Sequence, residues 1–218
     1  MTRVILVRHG ATEWNRSHRF QGHQDVPLAT LGRQQAERVA ARLQQERVTF
    51  AFASDLQRAR ETAETVTAAG DIPLQVTPEL RETSFGLWEG LTAKEIGAAY
   101  PDEWKAWTEN PVATCPPKGE SLREVTDRVV GFFDRALSGL PAAFDPQQHG
   151  RRHRRPTVLF VSHGGVLRAL LTHLLDVPTE RYWRFALRPG SISILDLYPE
   201  GAIAAVIGET SHLDGLRR

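Results

Sequence analysis

A single cysteine, Cys115, in 218 residues leaves the chain without any internal disulfide, a pattern that fits a reducing compartment. Long apolar runs are absent too: none approaches the roughly 18 residues that a membrane helix needs. The amino terminus passes from Met1-Thr2-Arg3 straight into an apolar strand, without the apolar stretch and small-residue cleavage site of a leader, so a cytoplasmic protein is expected. An excess of one charge is lacking as well. With 27 Lys and Arg against 26 Asp and Glu, the net charge of +1 removes any global electrostatic argument for a nucleic acid or a membrane surface as partner. No internal repeat array or low-complexity segment is present.

What is present is an ordinary globular composition, 41% hydrophobic and 24% charged, which at this length suits one domain over residues 1–218 with a substantial core. Two stretches read alike. Val4-Ile5-Leu6-Val7 runs into Arg8-His9-Gly10, and Val158-Leu159-Phe160-Val161 runs into Ser162-His163-Gly164-Gly165. Each is a short apolar run of the buried-strand kind, and each stops at a histidine followed by glycine. If both strands lie parallel in one sheet, their carboxyl ends bring the two imidazoles to the edge where open α/β sheets bind ligands. Arg8, beside His9, suits an anion site better than core packing.

Helices alternate with these strands. Ala36, Val39, Ala40 and Leu43 form one helical stripe, and Leu56, Ala59, Ala63 and Val66 a second, with Asp55 placed to cap that helix and Arg58 in its first turn. Short strands are expected at 51–53 and 74–76. Residues 92–118 read as short helices and a proline-rich excursion carrying Trp104 and Trp107, a lid-like or cap-like insertion. Ser121-Leu122-Arg123-Glu124 is a capping box, opening a helix whose stripe is Leu122, Val125, Val129, Phe132 and Ala136. Another helix follows the second histidine, with Val166, Leu167, Leu170, Leu171 and Leu174, and a hairpin around Pro199-Glu200-Gly201 ends the sheet. The pattern predicts an α/β three-layer sandwich with a mostly parallel central sheet flanked by helices. Between Pro141 and Pro156, Arg151, Arg152, Arg154 and Arg155 read as a solvated surface loop, and His149 and His153 lack the Cys or carboxylate neighbours of a metal site.

In chain order, the residues Leu6-Val7-Arg8-His9-Gly10-Ala11-Thr12-Glu13-Trp14-Asn15, Gln21-Gly22 with Asp25, Ser54-Asp55-Leu56-Gln57-Arg58-Ala59, Glu82 with Phe85-Gly86-Leu87-Trp88-Glu89-Gly90, Gly119-Glu120-Ser121 and Ser162-His163-Gly164-Gly165 form a series. This series resembles the motifs of the histidine phosphatase superfamily, the phosphoglycerate mutase-like proteins. The resemblance implies that His9 accepts a phosphoryl group, that Arg8, Arg58 and His163 grip the phosphate oxygens, and that Glu82 protonates the leaving oxygen. Asn15 adds a donor, and Gln21, Gly22 and Gly164 complete the substrate contacts. No metal and no cofactor is implied, the partner is a small phosphomonoester, and a homodimer is left open.

The chemistry agrees with these assignments. Phosphoryl transfer asks a protein mainly for positioning and for stabilisation of charge on the equatorial oxygens, and two guanidinium forks supply both. His9 must be neutral to attack, and cationic neighbours disfavour its protonation. Glu82 must instead hold a proton near neutral pH, which calls for desolvation; Phe85, Leu87 and Trp88 are its expected source, and Glu89 is the substitute candidate for the acid. Leu80 to Gly90 resembles the short phosphatase form of its motif, shared with ribazole phosphatases, and not the mutase's Glu-Arg-His-Tyr-Gly. The implied activity is therefore metal-independent phosphatase. A cofactor-dependent phosphoglycerate mutase is the alternative, and a non-catalytic phosphate sensor or a nucleic-acid contact through 151–155 is less favoured. Substrate choice is expected to lie in residues 92–118.

Overall fold

The two apolar runs that end in histidine are neighbouring strands of one sheet. The computed structural model describes residues 1–140 and 156–216. Its strands are β1 (Thr2–Arg8), β2 (Phe50–Ser54), β3 (Leu74–Thr77), β4 (Thr157–Ser162), β5 (Ile192–Tyr198) and β6 (Gly201–Glu209), in the spatial order β3-β2-β4-β1-β5-β6. Pairings β1–β4, β4–β2 and β2–β3 are parallel, whereas β1–β5 and β5–β6 are antiparallel. The helices are α1 (Glu13–Arg16), α2 (Thr30–Leu43), α3 (Gln57–Ala68), α4 (Ala93–Ala99), α5 (Pro101–Glu109), α6 (Leu122–Ser138) and α7 (Gly164–Leu174).

Side chains alternate across a strand, so the unbroken apolar run of β1 feeds two cores. Val4 and Leu6 join Val158 and Phe160 beneath α6 and α7, while Ile5 and Val7 join Leu159 and Val161 beneath α2 and α3. Each such buried aliphatic side chain contributes about 1.5–3 kcal/mol. The expected three layers follow directly. α6 starts where the capping box places it: Ser121 Oγ accepts from Glu124 N at 3.2 Å, and Glu124 Oε2 accepts from Ser121 N at 2.8 Å. The final hairpin turns through Pro199 and Glu200, with Tyr198 paired to Gly201.

One expected cap is overturned. Asp55 does not cap α3; its carboxylate takes a two-pronged bond from Arg81, at 2.7 and 2.6 Å, which also holds its pKa below the usual carboxylate range. Two parallel charge-assisted bonds outweigh one bond to a backbone N–H. The cap comes from elsewhere, because Asp25 Oδ1 accepts from Gln57 N at 2.6 Å. Two loops are thereby tethered at the amino end of α3, where Gln57 directly precedes Arg58.

The arginine-rich stretch, residues 141–155, with its two histidines, lies outside the described residues. Among those described, no helix is long and apolar enough to cross a membrane.

Candidate active site

Parallel register sets Arg8 opposite Ser162, so the next residues on each strand, His9 and His163, leave the sheet side by side. Their ring centroids lie 5.0 Å apart at a tilt of 58°, and both side chains are buried. His9 Nδ1 is 2.7 Å from the carbonyl oxygen of Gly10. A carbonyl only accepts, so Nδ1 carries the hydrogen and Nε2 of the neutral ring holds the lone pair. The turn that positions this ring is packed backbone against backbone: a Cβ on Gly10 would stand 2.3 Å from the carbonyl oxygen of Gly32 in α2. Thr62 Oγ1 of α3 accepts from Gly10 N at 3.1 Å.

His163 is fixed from its other side. Its Nε2 is 2.9 Å from Ser54 Oγ, which already accepts from Leu56 N at 3.3 Å. The serine hydroxyl is then free to donate to Nε2, which puts the ring hydrogen of His163 on Nδ1. That Nδ1 is buried without a partner among the described residues, and so are Nε of Arg8 and Nε of Arg58. Each guanidinium is anchored through other nitrogens. Arg8 Nη1 donates to Leu187 O at 2.6 Å; Arg58 Nη1 and Nη2 donate to Gln24 O and Gly22 O, both at 2.8 Å. Gly164 lies behind Arg8, where a Cβ would stand 3.3 Å from the guanidinium carbon.

Burial, then the charges of Arg58 and Arg8, push the proton affinity of His9 well below the ordinary imidazole value. His163 is pushed the same way by burial, Arg58, His9 and Arg8. Burial also brings both guanidinium groups down to about 10, against the pull of Glu82, so each stays charged at neutral pH.

Glu82 lies at the amino end of α7. Its Oε1 accepts from Thr83 N at 3.0 Å, Gly165 N at 3.1 Å and Val166 N at 3.4 Å, and Oε2 accepts from Gly165 N at 3.3 Å. Of the three loop residues expected to desolvate it, Phe85 shares its cavity, whereas Leu87 turns outward, 43% exposed, and Trp88 is buried against Phe20, Trp104 and Trp107. Glu89 ties loops together, accepting from His23 N at 2.9 Å, Phe85 N at 3.1 Å and Gln24 Nε2 at 3.2 Å.

Arg8, His9, Arg58 and Glu82 line one cavity of about 430 Å³, together with Asn15, Gln21 and Gly22. Asn15 Oδ1 is bound by Thr12 N at 2.9 Å, leaving its Nδ2 without a bond among the described residues. Gln21 Oε1 accepts from Thr12 Oγ1 at 3.0 Å. Gly22 has φ +51°, and a Cβ there would collide with Glu89 Oε1 at 2.0 Å. His163 and Gly164 stand behind this surface. The remaining wall comes from Trp14 of α1, from His18, Arg19 and Phe20 after it, from Phe85 and from Pro189. No residue of 92–118, where substrate choice is expected to lie, lines this cavity.

Sequence reasoning assigned no role to Ser54, Thr62, His23 or Arg128. Thr62 stands four residues after Arg58 in α3, so helical spacing alone put the two on one face. His23 Nε2 lies 2.8 Å from the carbonyl oxygen of Glu82, and Arg128 Nη1 donates to Glu79 O and Arg81 O, each at 2.9 Å. Nothing in local spacing signals these last two contacts.

The sequence profile of the histidine phosphatase superfamily (branch 1) matches residues 4–210. The chain is 30% identical over 213 residues to phosphoserine phosphatase 1 of Hydrogenobacter thermophilus, covering 98% of this chain and 95% of that one. It is 35% identical over 223 residues to a probable phosphoglycerate mutase, GpmB, of Yersinia pestis, with 98% and 96% covered. Among solved structures, a mycobacterial glucosyl-3-phosphoglycerate phosphatase in complex with VO3 superposes with a TM-score of 0.83 at 29% identity, covering 96% of this chain and all of that one.

Proposed function

Since the chain belongs to the histidine phosphatase superfamily and is a phosphoric monoester hydrolase, we propose that it cleaves small organic phosphomonoesters through a covalent phosphohistidine on His9, without a metal. One observation carries this reading: three buried nitrogens, Arg8 Nε, Arg58 Nε and His163 Nδ1, have no partner among the described residues, on the ring beside His9 and on the two guanidinium groups whose charges act on it. Unpaired buried donors are costly, and an anion such as a phosphoryl group would satisfy all three.

Nε2 of His9 attacks phosphorus while the bond to the ester oxygen breaks, and that oxygen takes a proton from Glu82. A water then attacks the phosphohistidine, its proton passing to the Glu82 carboxylate as the N–P bond breaks and phosphate leaves. Arg8 and Arg58 hold the equatorial oxygens throughout, with charge aimed where it develops. The relatives' names, phosphoserine phosphatase and glucosyl-3-phosphoglycerate phosphatase, favour small phosphorylated metabolites as substrates.

Hydrolysis of 4-nitrophenyl phosphate in the presence of a chelator, for wild type beside His9→Ala, tests the reading. Turnover is expected to survive the chelator and to fall roughly a thousandfold or more in the variant. Loss of activity with chelator rejects the metal-free route, and equal activity in the variant rejects His9 as nucleophile. A mutase would instead isomerise phosphoglycerate only when bisphosphoglycerate is added.

A further inference from the structure

Beyond its phosphate end, the cavity is walled by Trp14, Phe20, Phe85 and Pro189. Phe20 and Phe85 meet edge to face with centroids 4.9 Å apart. Phe20 also packs edge-on against Trp104 at 5.9 Å and leans on Trp107 at 6.1 Å, and those two indoles stack at 5.5 Å and 22°. Trp88, fully buried, closes the cluster at 5.6 and 5.7 Å from them. A tightly packed aromatic cluster has few alternative arrangements, so Phe20 presents a fixed hydrocarbon surface to whatever lies in the cavity. The role of α5 is thereby indirect: it buttresses the wall from outside.

Among the described residues, this half of the cavity presents no uncompensated guanidinium or ammonium charge. Besides Arg8 and Arg58, the one guanidinium or ammonium group lining it among the described residues is that of Arg19. Its Nη1 donates to Gly90 O at 2.5 Å and to Glu95 Oε2 at 2.8 Å, and its Nη2 to Glu95 Oε1 at 3.4 Å. Glu95 is itself held as the N3 residue of the α4 capping box, its Oε2 accepting from Thr92 N at 2.7 Å. The Arg19 charge is therefore matched by a carboxylate in place. His18 adds an exposed imidazole at the mouth. An alcohol bearing its own carboxylate would give up water against this wall and find no free guanidinium among the described residues in return. An aryl or alkyl group would gain from leaving water.

On the phosphatase reading above, we propose that the preferred substrates are phosphomonoesters of apolar, aromatic-sized alcohols without a second anionic group, selected by the Phe20–Phe85 wall and by the Arg19–Glu95 pair. The test compares kcat/KM for benzyl phosphate, phosphoserine and 3-phosphoglycerate, whose leaving groups are all alkoxides. Benzyl phosphate is expected to lead by at least about tenfold. Phe20→Ala should lower that lead about tenfold, mainly through the KM of benzyl phosphate. Glu95→Gln keeps the acceptor for Thr92 N but releases the charge of Arg19, and should narrow the lead by improving phosphoserine. Phosphoserine or 3-phosphoglycerate turned over as well as benzyl phosphate by the wild type overturns the proposal, and so does a lead that Glu95→Gln does not move. If 4-nitrophenyl phosphate too is left intact, the phosphatase reading fails first and this one with it.

Discussion

The Nδ1–H of His9 donates to the carbonyl oxygen of Gly10 at 2.7 Å, which leaves Nε2 as the ring nitrogen with a free lone pair. The covalent intermediate should accordingly carry its phosphoryl group on Nε2. Rapid quenching in alkali during turnover of an aryl phosphate, followed by 31P NMR or fragmentation mass spectrometry of the His9 peptide, reads the position. Phosphate on Nδ1 would contradict the hydrogen bond, and its absence from the peptide would contradict the covalent route.

Stability should fall on the acid side earlier than carboxylates alone would cause. Burial holds His9 and His163 well below 6.5 in the folded chain, the value they regain on unfolding. Below that value the unfolded chain binds protons that the folded chain refuses, so stability is fully present above it and is lost as pH falls toward the folded values. Each histidine removes up to about 1.4 kcal/mol per pH unit. Urea midpoints between about pH 7.5 and pH 5.5, a window above the carboxylate range, should therefore drop less for His163→Gln than for wild type. Parallel slopes would mean that His163 titrates normally.

Ser54, fully buried, touches no cavity surface, yet its hydroxyl stands 2.9 Å from His163 Nε2. Ser54→Ala strips a buried nitrogen of its partner and should cost about 1–3 kcal/mol in unfolding experiments. It also removes the bias that puts the ring hydrogen on Nδ1, so kcat/KM should fall about tenfold, the equivalent of one net hydrogen bond. A variant as active as wild type would show that Ser54 does not orient the ring.

The sheet edge and its histidines were legible because an apolar run ending in His-Gly is a local signal, and local signals also gave the capping box at Ser121 and the stripes of α2, α6 and α7. Asp55 misled for the same reason. Next to a helix start it reads as a cap, and its partner Arg81 lies 26 residues away. The surroundings of Glu82 are not legible in its motif: beyond the adjacent Thr83, the N–H groups that its carboxylate meets belong to Gly165 and Val166, 83 and 84 residues later. Residues 92–118 were legible as helices and tryptophans, but whether they face the ligand or brace those that do depends on how Phe20 folds back across them.

Strands β1 and β4 occupy the middle of the sheet, each ladder-bonded on both sides. The two imidazoles are thus spaced by backbone paired on both sides at the centre of the sheet. Partial melting at the periphery leaves their spacing intact; only rupture of the central ladder, the last structure to yield, can pull the reacting ring away from its neighbour.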